Sequence, residues 1–138
     1  MTHSAQAEHP HLELLRAYLT AIEQDADEER IASFFAPDVV QQEFPNRFVE
    51  QGSTRGLSQL LEGRRRGRQV VQNQRYTIKN ALVDGDRVAL ELFWTAELRL
   101  PVGSLAAGAS MSANCGVFFR IADGRIIEQH NFDCFDPF

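Results

Sequence analysis

Residues 111–135, MSANCGVFFRIADGRIIEQHNFDCF, read as two long strands joined at Ile121-Ala122-Asp123-Gly124-Arg125. Ala-Asp-Gly fits a three-residue hairpin loop, a type I turn with Gly124 left-handed as a bulge. That loop predicts Phe119 opposite Ile127, Val117 opposite Gln129, Cys115 opposite Asn131 and Ala113 opposite Asp133. Side chains alternate along a strand, so these residues share one face, and Phe118, Ile126, His130 and Phe132 share the other. Gln129, Asn131 and Asp133 then form a polar row among apolar neighbours. Such a row either lines a semi-polar pocket or faces water.

Upstream, Val70 to Val83 reads as a strand, Asp84-Gly85-Asp86 as a turn and Arg87 to Leu100 as the next strand. Leu90, Leu92, Trp94 and Leu98 alternate there with Glu91, Phe93, Thr95 and Glu97, a half-buried pattern. Residues 101–109 form a small-residue connector. Further toward the N-terminus, apolar residues recur at helical spacing from His9 to Gln24: Leu12, Leu15, Leu19 and Ile22, flanked by Tyr18. Asp25 to Glu28 offers capping carboxylates for a second, short helix that buries Ile31, Phe34 and Phe35 and is stopped by Pro37. Val39 to Phe44 reads as a short strand. Ser53-Thr54 are placed to cap a third helix running to about Arg66, with Gly67 as its left-handed end and Arg64 to Arg68 as a solvated, dipole-favoured terminus. Residues 1–8 are small and polar and are expected to fray.

A run of helices followed by a run of strands means α+β: three N-terminal helices covering one face of a curved antiparallel sheet, a cone whose open end is a natural pocket. At 138 residues the chain is one domain, residues 1–138. Its net charge of −5 argues against a nucleic-acid partner. Nothing approaches the apolar length of a membrane span, and no secretory signal is visible. Cys115 and Cys134 are not opposed in the expected register, so two reduced, buried thiols in a cytoplasmic protein are expected. No His, Cys or carboxylate spacing suggests a metal, and no glycine-rich loop suggests a cofactor.

The segments Phe34-Phe35-Ala36-Pro37-Asp38-Val39-Val40, Gly85-Asp86-Arg87-Val88 and Phe119 to Ile126, with the ending His130 to Phe135 and the element order, resemble SnoaL-like members of the nuclear transport factor 2-like superfamily. The resemblance covers about residues 9–135. It implies the cone fold, and it spans isomerases, cyclases, hydrolases, dehydratases and non-enzymatic modules. Ketosteroid isomerases belong to the same superfamily and use a carboxylate base with tyrosine and aspartic acid as oxyanion donors. Carried over, Tyr18 falls at the tyrosine position and Glu43 at the base position. The third position falls at Val117, which cannot donate a hydrogen bond.

The candidate site is therefore Glu43, Tyr18 and Asp133 for catalysis, with Trp94, Val117, Gln129 and Asn131 as ligand-binding residues. Two functions stay open. One is a cofactor-independent isomerase or lyase acting by proton transfer on a small, largely apolar carbonyl compound, with Glu43 or Asp133 as base. The other is a non-catalytic module that binds an apolar ligand or dimerises. The outer sheet face, with Phe93, Phe118, Ile126 and Phe132, is expected to pair two copies into a homodimer.

Overall fold

The computed structural model describes residues 8–138; of the stretch expected to fray, all but Glu8 lies outside the described residues. The first helix, α1 (Pro10–Glu23), places proline where a missing N–H costs nothing and buries Leu15 and Leu19. Asp25 then takes a left-handed conformation (φ 54°), which breaks the helix. The short α2 (Glu28–Ala32) is capped by Asp27, whose carboxylate accepts from the Arg30 N–H at 2.8 Å.

Six strands form one curled sheet. In chain order they are β1 (Phe35–Glu43), β2 (Ser53–Arg55), β3 (Val71–Asp84), β4 (Arg87–Leu98), β5 (Ser110–Ala122) and β6 (Arg125–Phe135). Helix α3 (Leu57–Val70) lies between β2 and β3 in sequence. The spatial order is β2-β1-β6-β5-β4-β3. Helix α1 packs on β3, α3 on β1 and β3, and α2 on both helices. All three helices thus cover one face and close the sheet into a cone. One pairing departs from the expected antiparallel sheet: β1 runs parallel to β6. The helical and β3–β5 segments between these two strands bring β1 back to the far side of β6, so the last strand is an interior one.

The terminal hairpin departs from the expected loop in an instructive way. Ala122 pairs with Arg125, leaving only Asp123 (φ 53°) and Gly124 (φ 70°) in the turn. Positive φ at both positions is what a two-residue type I′ turn requires. A two-residue turn alone would send Gln129, Asn131 and Asp133 to the outer face. Instead the register shifts after Ile121–Ile126 and resumes at Arg120–Glu128, which leaves Ile127 as an extra, bulged residue. Side-chain parity therefore reverses along β6. Ile126, expected outside, is fully buried against Ile121, and beyond the bulge Gln129, Asn131 and Asp133 return to the concave face. Their partners are Phe119, Val117 and Cys115, two residues away from the expected register.

The core is one cluster built from the concave face of the sheet and the inner faces of α1 and α2, with Leu15, Val39, Leu98, Ile121 and Ile126 the largest fully buried side chains. Each such aliphatic residue contributes about 1.5–3 kcal/mol by leaving water. Four further expectations change. Phe35 begins β1 rather than ending α2, and Pro37 sits inside β1 where the ladder to β6 is interrupted between Phe35 and Val40, a place that needs no N–H. Ser53 and Thr54 form β2 instead of capping α3. The cap is Gly56, whose N–H donates to the Gln59 side chain at 2.9 Å. Gly67 lies within α3, which runs on to Val70. Cys134 is exposed; only Cys115 is buried, and both are free thiols. No helix among the described residues is long and apolar enough to cross a membrane.

Candidate functional site

Under α1 and α3 the cone encloses a cavity of about 440 Å³. Its wall is built strand by strand from alternate positions. Tyr18 comes from α1, Glu43 from β1, Trp94 from β4, Val117 from β5, and Gln129, Asn131 and Asp133 from β6. All seven residues singled out from the sequence therefore border one space. Leu92, Met111, Ala113 and Phe119 supply much of the apolar remainder. Phe48, half exposed, borders the cavity at the surface and packs edge-on against Phe135, 4.9 Å between ring centres.

The two candidate carboxylates stand in different environments. Glu43 is fully engaged: Arg55 Nη1 donates to its Oε1 at 2.8 Å, and Asn46 Nδ2 donates to its Oε2 at 2.8 Å. β2 exists to hold this pair, because its register sets Arg55 directly opposite Gln41, two residues before Glu43 on the same face of β1. Asp133 has no ion-pair partner among the described residues. Burial in the apolar cone pushes its carboxyl above the ordinary aspartate range. The Cys115 thiol on the facing strand partly offsets that shift, and the negative charge of Glu43 adds to it. The Cys115 thiol is itself pushed well up by burial and by Asp133.

Two phenols face the same space. Burial raises Tyr18 to about 12, with smaller opposing effects from Gln129 and Arg64. Tyr76, on β3, is raised well above its ordinary value, first by burial and then by Tyr18, Cys115 and Asp133 nearby. Both phenols are therefore neutral hydrogen-bond donors at physiological pH. Rings of Phe34 and Phe35 pack on Tyr18 at 5.5 and 5.3 Å and fix its orientation.

An amide cluster completes the wall. Gln41 Nε2 and Gln129 Nε2 donate to Asn131 Oδ1 at 3.1 and 3.0 Å. Gln129 is almost wholly buried, yet its Oε1 has no hydrogen-bond partner. Trp94 Nε1 donates to Gln74 Oε1 at 3.1 Å, which holds the indole against the cavity.

The sequence reading missed Tyr76, Gln41, Arg55 and Arg64. Gln41 was detectable, since it precedes Glu43 by two and shares its face. Tyr76 follows the same alternation as Ile78 along β3. Arg55 carried no signal, because it lies on β2, a strand that Ser53-Thr54 disguised as a helix cap. Arg64 was hidden in a run of arginines, of which it alone turns inward.

The comparisons with known proteins agree with this fold. Solved structures of similar fold include IdmH, a proposed polyketide cyclase from Streptomyces antibioticus, at 18% identity over 91% of this chain and 92% of that one, with a TM-score of 0.76. A proposed SnoaL-like polyketide cyclase from Jannaschia sp. CCS1 matches at 18% identity over 96% and 91% of the two chains, TM-score 0.72. An M. tuberculosis LEH-like epoxide hydrolase matches at 19% identity over 92% and 83%, TM-score 0.70. No curated protein sequence matches the chain. Identities this low establish the fold and leave the reaction open. The sequence profile of the SnoaL-like domain matches residues 15–129, from the middle of α1 to the amide cluster on β6, and the chain belongs to that family.

Proposed function

We propose that this protein binds a small, largely apolar carbonyl compound in the cone and moves a proton on it without a cofactor, with Asp133 as the base. The observation that carries the proposal is the contrast between the two carboxylates of the wall. Glu43 is tied down by Arg55 and Asn46, whereas Asp133 is partly buried and without an ion-pair partner among the described residues. A base abstracting a proton next to a carbonyl gains strength as its pKa rises toward the working pH. The Asp133 carboxylate takes the proton, the C–H electron pair moves into the carbonyl, and the oxygen becomes an enolate. Tyr18 and Tyr76 donate hydrogen bonds to that oxygen, in place of the donor that Val117 cannot supply. Protonated Asp133 returns the proton at a second carbon, giving an isomer; where the enolate carbon instead attacks a second carbonyl of the same ligand, a ring closes and the proton goes to the alkoxide formed there. Glu43 holds the field and Asn131 the ligand's polar edge, while Trp94, Val117 and Gln129 shape the apolar wall.

Support also comes from the family, whose members bind small molecules, and from fold neighbours described as a proposed polyketide cyclase and an LEH-like epoxide hydrolase. We further propose a homodimer through the outer sheet face, where Phe118 and Phe132 are exposed, and a cytoplasmic location, which suits two free thiols. The test is to identify a co-purifying ligand by native mass spectrometry and follow its deuteration in D2O by NMR. Exchange that falls about tenfold or more in Asp133→Asn supports the proposal. Exchange unchanged in that variant rules out Asp133 as the base, and exchange no faster than in the absence of protein leaves a non-catalytic binding protein.

A further inference from the structure

The main cavity continues beneath α3 into a second compartment of about 290 Å³, and the two share Tyr18, Gln41, Glu43, Gln74 and Tyr76 in their walls. Two features of α3 facing this space have no account in the fold. The first is Arg64. Its neighbours Arg65, Arg66 and Arg68 reach out to Glu28, Glu62 and Asp25. Arg64 turns inward, its side chain only 15% exposed, and donates from Nη2 to the Ala26 carbonyl. Its Nη1 is enclosed and has no partner, and the nearest carboxylate, Asp25, is 3.7 Å from Nη2 and already held by Arg68 at 2.7 Å. A largely enclosed guanidinium short of partners is costly, and Arg64 lines the compartment through the rest of its side chain, Nη1 itself being closed off from the space.

The second feature is the pair Gly63 and Gly67, four apart and therefore on one side of α3, both lining both spaces. Glycine inside a helix weakens it relative to alanine. Neither has the positive φ that would demand glycine. A side chain at Gly67 would meet nothing within 4 Å, and one at Gly63 would meet only Arg66 and Arg55 at ordinary contact distance. Packing does not require either glycine, and both keep room open beside Arg64.

We infer that this compartment is a subsite for an oxyanion: the ligand is an apolar molecule bearing one acidic group, which Arg64 receives beneath α3 while the apolar body occupies the cone. The inference rests on the proposed binding of an apolar molecule in the cone. The charges agree with it. Arg55 and Arg64 face this compartment against Glu43 alone, which leaves the space with one positive charge in excess. The opposite end holds Asp133, which would repel an anion, so the ligand is oriented with its acid toward α3 and its neutral body toward the base.

The experiment compares two fluorescent probes of one aromatic skeleton, anilinonaphthalene sulfonate, which is anionic, and phenylnaphthylamine, which is neutral. The subsite predicts that the folded protein binds the sulfonate about tenfold or more tightly than the neutral probe, the scale of one charge-assisted hydrogen bond. Arg64→Gln should remove that preference while leaving the neutral probe's affinity within about threefold, and Arg64→Lys should keep part of it. Gly67→Leu, which keeps Arg64 but fills the compartment, should also weaken the sulfonate. This variant guards against misfolding at Arg64 and against probe bound on the outer Phe118 and Phe132 face. Equal affinity for both probes, or a preference indifferent to Arg64 and Gly67, overturns the subsite and leaves the apolar cavity standing. Failure of both probes to bind overturns the cavity reading and the subsite with it.

Discussion

Cys115 stands directly opposite Asp133 on the β5–β6 ladder, where its thiol partly offsets the rise that burial imposes on the carboxyl pKa. A thiol is a weak donor, so it only partly relieves the cost of charging an acid in an apolar cone. Cys115→Ser, which offers a stronger donor, should lower the Asp133 pKa, and Cys115→Ala should raise it further. A carboxyl-detected NMR titration separates the two directions.

The same shift links the site to stability. Asp133 has a folded-state pKa above its unfolded value, so the folded state binds the proton more tightly. Stability contributed by the protonated acid is present below the unfolded pKa, about 3.9. It is lost as pH rises from there through the folded pKa, and the loss is complete above it. Asp133→Asn removes the titration. The variant should melt at a higher temperature than the parent at pH 7, and the gap should shrink as pH falls toward 4. A calorimetric pH series that shows the parent more stable at pH 7 contradicts this reading of the site.

Tyr18→Phe and Tyr76→Phe should each leave the fold intact and lower proton transfer by about 10²-fold, the scale of a lost oxyanion donor. Tyr18 already has its ring held by Phe34 and Phe35, so phenylalanine keeps the packing. Rates from deuterium exchange, with circular dichroism as the control for folding, check both.

Gly67→Ala should stabilise the protein by about 0.5–1 kcal/mol, because it adds a helix-favouring methyl in open space. Chemical denaturation measures this. A destabilised variant would mean that the methyl meets something beneath α3.

On the convex face Phe118 and Phe132 are 53% and 41% exposed, 5.9 Å apart between ring centres, and Phe44 stacks on Phe132 at 4.2 Å. Light scattering should give the mass of two chains for the parent and of one chain for Phe118→Glu, since a carboxylate cannot be buried in an apolar interface without a partner.

The element order and the concave polar row were legible in the sequence because both rest on periodicity, which survives small errors. The hairpin shows how. The expected three-residue loop and the observed two-residue turn with a bulge at Ile127 differ by two in register, and an even difference keeps Gln129, Asn131 and Asp133 on the same face. Ile126 lies on the turn side of the bulge, so there the parity argument failed. Tertiary pairing defeated the local signals elsewhere. Ser53-Thr54 carries the chemistry of a helix cap, but pairing with Gln42 and Glu43 makes it a strand. Gly67 resembles a helix end, but α3 continues over the cavity. The Glu43–Arg55 bond, which sets the two carboxylates in different environments, depends on that unforeseen strand and was out of reach of any pattern.

The central claim is that Asp133, and not Glu43, is the poised carboxylate of the cone. Carboxyl-labelled protein titrated by NMR tests it without knowledge of the substrate. The account predicts that Asp133 titrates above the ordinary aspartate value of about 3.9, and that Glu43→Gln, by removing a neighbouring negative charge, moves it back down. An Asp133 that titrates at or below the ordinary value, unmoved by Glu43→Gln, would contradict it.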